Sequence, residues 1–151
     1  MPLSSNIPAP DFSLPDETGK VRTLREFHGK PVVLYFYPRA DTPGCTVEAC
    51  EFRDDRKAFA KKNVEIVGVS PDKPAAQAKF KNKFELPFTL LADEDKEVAQ
   101  AYGVWKEKNM YGKKVMGIER TTFLIGADGK IEKIWPKVKA QGHAAEVLTA
   151  L

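Results

Sequence analysis

Cysteine occurs at two positions, Cys45 and Cys50, and the first closes the run Pro38-Arg39-Ala40-Asp41-Thr42-Pro43-Gly44-Cys45. Thr42 suits a helix N-cap and Pro43 the first helical position. Cys45 then stands in the first turn, where the positive end of the helix dipole is expected to favour a thiolate, the reactive form of the residue. The amides of Gly44 and Cys45 lack intrahelical partners there, and with no side chain on Gly44 a small ligand can approach. These N–H groups could stabilise negative charge on oxygen. The Thr42 hydroxyl can donate to one atom while accepting from another, which beside a thiolate would orient a polar substrate such as a peroxide. The pattern points to redox chemistry at sulfur.

Helix arithmetic constrains how the two cysteines could cooperate. At about 100° per residue, Cys45, Ala49, Phe52 and Phe59 share one stripe and should face the core. Cys50 lies about 140° further round and about 7.5 Å along the axis, so the two Cα atoms would be roughly 8–9 Å apart. A disulfide cannot form beyond about 7 Å without backbone movement. If the two react together, the first turns must unwind, which couples local unfolding to chemistry. The alternative is two unrelated cysteines, one in the core and one at the surface.

The elements that would position this loop alternate between strand and helix. Phe12–Leu14 and Val21–Leu24 flank a polar turn and predict an N-terminal β-hairpin. Pro31–Tyr37 is an apolar strand feeding the cysteine loop, and a helix is expected from Pro43 to about Lys62. Val64–Ser70 is β-branched and reads as a strand, Pro74–Phe84 as a helix, Phe88–Leu91 as a short strand and Lys96–Tyr102 as a short helix. Trp105–Gly117 shows little periodicity and reads as a loop. Arg120–Ile125 and Lys130–Trp135 are strands joined by a turn at Asp128-Gly129, and His143–Leu151 is a closing helix. This is an α/β pattern, compatible with a thioredoxin-like fold: a central mixed sheet with helices on its faces and an N-terminal hairpin extension. Ligands of such sheets gather at the carboxyl ends of strands, where the loop 38–44 sits. Thr42-Pro43-Gly44-Cys45 falls where a thioredoxin-type dithiol would show C-x-x-C, with threonine replacing the first cysteine.

Composition narrows the function classes. The 151 residues predict a single domain over 1–151. The 24 basic and 21 acidic residues are well mixed, which argues against a nucleic-acid footprint. The longest apolar run, Val32–Tyr37, is far below the roughly 20 residues of a membrane span. The N-terminus has neither a basic nor an apolar leader segment. Two cysteines are too few for a disulfide scaffold and fit a reducing compartment, so a cytoplasmic location is expected. His28 and His143 are too scattered to suggest metal ligands, and Trp105 and Trp135 read as packing residues.

The loop resembles that of the peroxiredoxins, whose signature of proline, three residues, threonine, two residues and cysteine is met by Pro38, Thr42 and Cys45. The C-x4-C spacing is similar to the peroxiredoxin Q, or bacterioferritin comigratory protein, subfamily. Further similar segments are Leu34–Pro38, Glu48–Cys50, Phe52–Asp54, Met110–Lys113, Met116–Ile118, Arg120–Ile125 and Gly142-His143. Arg39-Ala40 departs from the expected lysine and charged residue. The resemblance implies Cys45 as peroxidatic and Cys50 as resolving cysteine, joined after turnover in an intramolecular disulfide. It implies Thr42 and Arg120 as further catalytic residues, and Pro38, Thr42, Gly44, Cys45 and Arg120 as the substrate site. It also implies hydrogen peroxide and alkyl hydroperoxides as substrates and thioredoxin, or else glutaredoxin, as reductant. The same resemblance suggests a monomer, and the site calls for no haem, flavin, metal or nicotinamide. Two other readings stay open: a disulfide exchanger acting on proteins, against which the missing C-x-x-C weighs, and a redox sensor or chaperone binding partners through the unwound helix.

Overall fold

The computed structural model describes residues 3–151, with Met110 described by its backbone alone. Five strands form the central sheet in the order β5 (Thr89–Ala92), β4 (Glu65–Ser70), β3 (Val32–Phe36), β8 (Thr121–Ile125), β9 (Ile131–Trp135). β3, β4 and β5 run parallel, while β8 is antiparallel to both β3 and β9. β1 (Ser13–Pro15) and β2 (Val21–Thr23) make the expected N-terminal hairpin, followed by a 3-10 turn at Leu24–Phe27.

β3 is buried along its whole length, so its alternating side chains feed two cores. Val32, Leu34 and Phe36 pack with Val67, Val69, Leu91, Phe123 and Ile125 on one face. The N-terminal hairpin and α4 (Glu97–Ala101) cover that side through Leu14, Val98 and Ala99. Val33, Tyr35 and Tyr37 face the other way, against Cys45, Ala49 and Phe52 of α1 (Pro43–Asp54), Phe59 of α2 (Arg56–Lys61), Phe80 of α3 (Pro74–Phe84) and Val147 of α5 (His143–Thr149). Helices thus lie on both faces, four on the side of the cysteines and one on the other.

Two expectations need correction. The helix expected from Pro43 to about Lys62 is interrupted at Asp55, whose φ of −92° and ψ of 3° lie outside the helical basin. Asp54 and Asp55 are poor helix-interior residues because their short carboxylates compete for nearby backbone N–H groups. The segment read as a loop is a two-stranded hairpin, β6 (Trp105–Met110) and β7 (Lys113–Ile118). Tyr111 and Gly112 turn it with φ of 55° and 78°, the left-handed pair that a tight two-residue hairpin demands. Lys113 to Met116 are exposed, so the strands carry no apolar alternation by which to recognise them.

No helix among the described residues is long and apolar enough to cross a membrane. Gly68, opposite Tyr35 in the register, is forced by packing. A Cβ there would sit 3.0 Å from Leu90 Cδ2 and 3.0 Å from both Cζ and the hydroxyl of Tyr35. Gly68→Val should lower unfolding free energy by about 1–3 kcal/mol through overpacking; a urea midpoint equal to the parent's would contradict this account.

Candidate active site

The cysteine loop leaves the carboxyl end of β3 and is held from below. Tyr37 N–H donates to Val69 O at 3.0 Å, and Ala40 N–H donates to Asp72 Oδ2 at 2.7 Å. The same Asp72 oxygen accepts from Ser70 Oγ at 2.6 Å. Gln77 of α3 donates to Ser70 Oγ and to Leu91 O, and accepts from the Tyr37 hydroxyl. The chain then turns through Asp41 at a φ of 59°, a region Asp tolerates better than most residues, and enters α1.

Thr42 occupies the N-cap position, with extended backbone at φ −94° and ψ 157°, and Pro43 begins the helix. The hydroxyl makes no side-chain cap, however; Thr42 Oγ1 donates to Arg39 O at 2.8 Å. Its proton is committed to the loop and its lone pairs are left to accept. Cys45 is 1 % exposed and Cys50 half-buried, and both are free thiols on an intact helix. The expected inward stripe of Cys45, Ala49, Phe52 and Phe59 is buried throughout.

Arg120 comes from far away in sequence. Because β8 is antiparallel to β3, with Thr121 opposite Phe36, the residue before β8 lies at the same sheet end as the cysteine loop. Its backbone carbonyl accepts from Val138 N–H at 2.9 Å. Its guanidinium forks: Nη2 donates to Cys45 Sγ at 3.3 Å and Nη1 to Glu48 Oε1 at 2.7 Å. A Cβ on Gly44 would meet Nη2 at 3.2 Å, so the glycine gives the guanidinium room to reach the sulfur. Burial opposes the charge of Arg120, but Glu48 and Cys45 outweigh it and the net shift is upward.

Glu48 is fully buried. Burial pushes its carboxyl up to about 7, against the pull of Arg120. Its Oε2 and the Tyr35 hydroxyl have no hydrogen-bond partner among the described residues. Sequence reading left the role of Glu48 unresolved. The signal was its place: three residues after Cys45, a carboxylate falls on the edge of the apolar stripe, where only a cation partner makes it tolerable.

Pro38 lies half-buried at the start of the loop. His143 bonds Thr122 Oγ1 at 2.7 Å and Glu146 Oε1 at 2.8 Å, and burial lowers its proton affinity. The structure brings Cys45, Gly44, Glu48 and Arg120 together, places Pro38 and Thr42 on the adjoining loop, and leaves Cys50 apart from Cys45 on the same helix.

Comparison with known proteins gives the family. Residues 6–134 match the AhpC/TSA family. Peroxiredoxin Bcp of Bacillus subtilis is 50 % identical over 143 residues, covering 95 % of this chain and 91 % of that one. Peroxiredoxin Bcp of Escherichia coli is 47 % identical over 150 residues, covering 99 % and 96 %. The solved structure of the Xanthomonas campestris bacterioferritin comigratory protein superposes with a TM-score of 0.91 at 40 % identity, covering 97 % of this chain and 96 % of that one. This chain is a peroxiredoxin of the Bcp/PrxQ subfamily. It has the thioredoxin-like fold and is a thiol peroxidase.

Within this peroxiredoxin, the buried Glu48 makes stability depend on pH. Its folded carboxyl titrates near 7, above the ordinary 4.5, so between those values the native state holds more of the proton than the unfolded chain. Stability linked to this group is present below about pH 4.5 and lost as pH rises through 7. Relative to Glu48→Gln, the parent should lose about 2–3 kcal/mol across that window. Urea unfolding at a series of pH values reads the difference; parallel curves would refute it.

Proposed function

We propose that Cys45 is the peroxidatic cysteine and Cys50 the resolving one, with Pro38, Thr42, Gly44 and Arg120 completing the substrate site in one thioredoxin-like domain. The sulfur of Cys45, as thiolate, attacks one oxygen of a hydroperoxide. The O–O electron pair departs with the other oxygen, which takes a proton and leaves as water or alcohol, and Cys45 becomes a sulfenic acid. The observation that carries this reading is the guanidinium of Arg120 donating to Cys45 Sγ at 3.3 Å inside a helix N-terminal turn. A cation there steadies a negative sulfur and then the departing oxygen. The near-complete burial of Cys45 favours a slim O–O–H group over a protein disulfide, which weighs against the protein-exchanging reading. The X. campestris relative is described in connection with alkyl peroxide reduction, and alkyl hydroperoxides are proposed as substrates here beside hydrogen peroxide.

Resolution requires the first turns of α1 to unwind. Glu51 Oε1 accepts from Gly142 N–H at 2.8 Å, and Arg53 Nη1 donates to Phe84 O at 2.8 Å. These contacts tether the later turns, so melting is assigned to the segment around Cys45–Cys50. The Cys50 thiolate then displaces hydroxide from the sulfenic sulfur; protonation gives water and an intramolecular disulfide. Thioredoxin, or glutaredoxin, supplies the two electrons that reopen it. The protein is proposed to act as a monomer in the cytoplasm.

Peroxide-dependent oxidation of reduced thioredoxin, followed with mass spectrometry of the product, tests the scheme. Cys45→Ser should abolish peroxide consumption. Cys50→Ser should still form a sulfenic acid at residue 45 and lose thioredoxin-linked turnover. Undiminished turnover in either variant overturns the role given to that cysteine.

A further inference from the structure

One peptide unit of the cysteine loop is gripped at both ends. The amide joining Arg39 to Ala40 is planar and trans, so its C=O and N–H point in opposite directions. Its N–H, on Ala40, donates to Asp72 Oδ2 at 2.7 Å. Its C=O, on Arg39, accepts from Thr42 Oγ1 at 2.8 Å. Asp72 stands two residues beyond Ser70, the last residue of β4. A carboxylate from the sheet end thus reaches the Thr42 hydroxyl through a single rigid amide.

Behind Asp72 the direction of each proton is settled. Leu91 O can only accept, so the amide nitrogen of Gln77 faces it at 2.8 Å and donates as well to Ser70 Oγ at 2.9 Å. The amide oxygen of Gln77 is left to accept from the Tyr37 hydroxyl. Ser70 Oγ, already an acceptor, sends its own proton to Asp72 Oδ2 at 2.6 Å. Gln77 and Ser70 are both buried, so Asp72 is braced by β4, β5 and α3 and not by the loop it holds. A carboxylate on the N–H of an amide polarises that amide and makes its C=O a stronger acceptor. The proton of Thr42 is thereby kept on Arg39 O, and the lone pairs of Thr42 stay free to accept.

We propose that Asp72 is a positioning residue of the peroxidase reaction: through the Arg39–Ala40 peptide it sets the Thr42 hydroxyl as the acceptor for the O–H of the hydroperoxide. The proposal deepens the reading of Thr42 as a substrate-site residue and rests on it. A hydroperoxide has one O–H to donate. An acceptor fixed in direction holds that group in one orientation beside Cys45, whereas a hydroxyl free to rotate would also offer its own proton. Asp72 acts at one remove; it exchanges no proton and takes no part in bond making.

A Cys50→Ser background separates the peroxide step from disulfide formation, and rapid mixing with hydrogen peroxide or cumene hydroperoxide reads it. Asp72→Asn, which keeps the shape and removes the charge, should slow this step about tenfold, the size of one charge-assisted hydrogen bond. In a Thr42→Val background the same change should matter by less than about twofold, because the hydroxyl through which Asp72 acts is gone. With Thr42→Ser, which keeps the hydroxyl, the effect of Asp72→Asn should return. Methyl methanethiosulfonate reacts with a thiolate but carries no hydrogen-bond donor, so its rate with Cys45 should stay within about twofold in Asp72→Asn. Lys83→Met removes the 2.9 Å surface partner of Asp41 on the same loop and should leave the peroxide rate within about twofold. Three results overturn the role of Asp72: an unchanged rate in Asp72→Asn, the full loss persisting in Thr42→Val, or equal slowing toward peroxide and the thiosulfonate. A Thr42→Val protein that reacts at the parent's rate overturns the reading of Thr42 instead, and a Cys45→Ser protein that still consumes peroxide overturns that of the sulfur.

Discussion

One guanidinium joins the Cys45 sulfur to the rest of the molecule. Arg120 donates from separate nitrogens to Cys45 Sγ and Glu48 Oε1, so two side chains about one helical turn apart are held by the residue that immediately precedes β8. Neither acceptor would be well placed in the core alone. A buried carboxylate without a cation is costly, and a sulfur proposed to carry negative charge under a closed loop needs a counter-charge that does not require water. Arg120 serves both, and the fork geometry of arginine is what lets one cation do so where a lysine would offer a point charge.

The sharing has a consequence for motion. Cys45 and Glu48 belong to the same short stretch of α1, so unwinding that stretch withdraws both from Arg120 together. The tethers at Glu51 and Arg53 lie beyond Cys50 in the sequence, which separates a releasable beginning of the helix from an anchored end. The orphaned Oε2 of Glu48 and its carboxyl raised to about 7 keep this stretch less stable than an apolar helix would be. A segment proposed to open during each cycle belongs at the low end of the local stability range.

The β6–β7 hairpin packs lightly on the rest of the molecule. Its strands expose most of their side chains and contribute to the large core only near their ends, through Ile118 and the partly buried Trp105. Its register, fixed by the Tyr111-Gly112 turn, sets Gly117 beneath the stem of Lys108. An element with so little apolar burial is held by its ladder and its ion pairs.

Much of this was legible from residue order. The apolar run 32–37, the β-branched run 64–70 and the cap of Thr42-Pro43 announced a strand, a strand and a helix start, because period, branching and proline stereochemistry act locally. The inward stripe through Cys45, Ala49 and Phe52 followed from 3.6 residues per turn, and the unbonded state of two cysteines in one intact helix followed from the same geometry. The hairpin 105–118 was missed because its faces are both polar and its turn uses Tyr-Gly, which carries a weaker signal than Asn-Gly. The break at Asp55 was missed because the apolar stripe runs through it to Phe59. That Thr42 Oγ1 donates to Arg39 O and accepts no N–H at the helix start was equally out of reach, since both options are local and equal in sequence. Sequence alone determined which residues could do sulfur chemistry and how far apart they sit on a helix. Tertiary structure alone decided that Arg120 meets Cys45 and Glu48 there, because antiparallel pairing of β8 with β3 is a long-range choice that no window of neighbouring residues encodes.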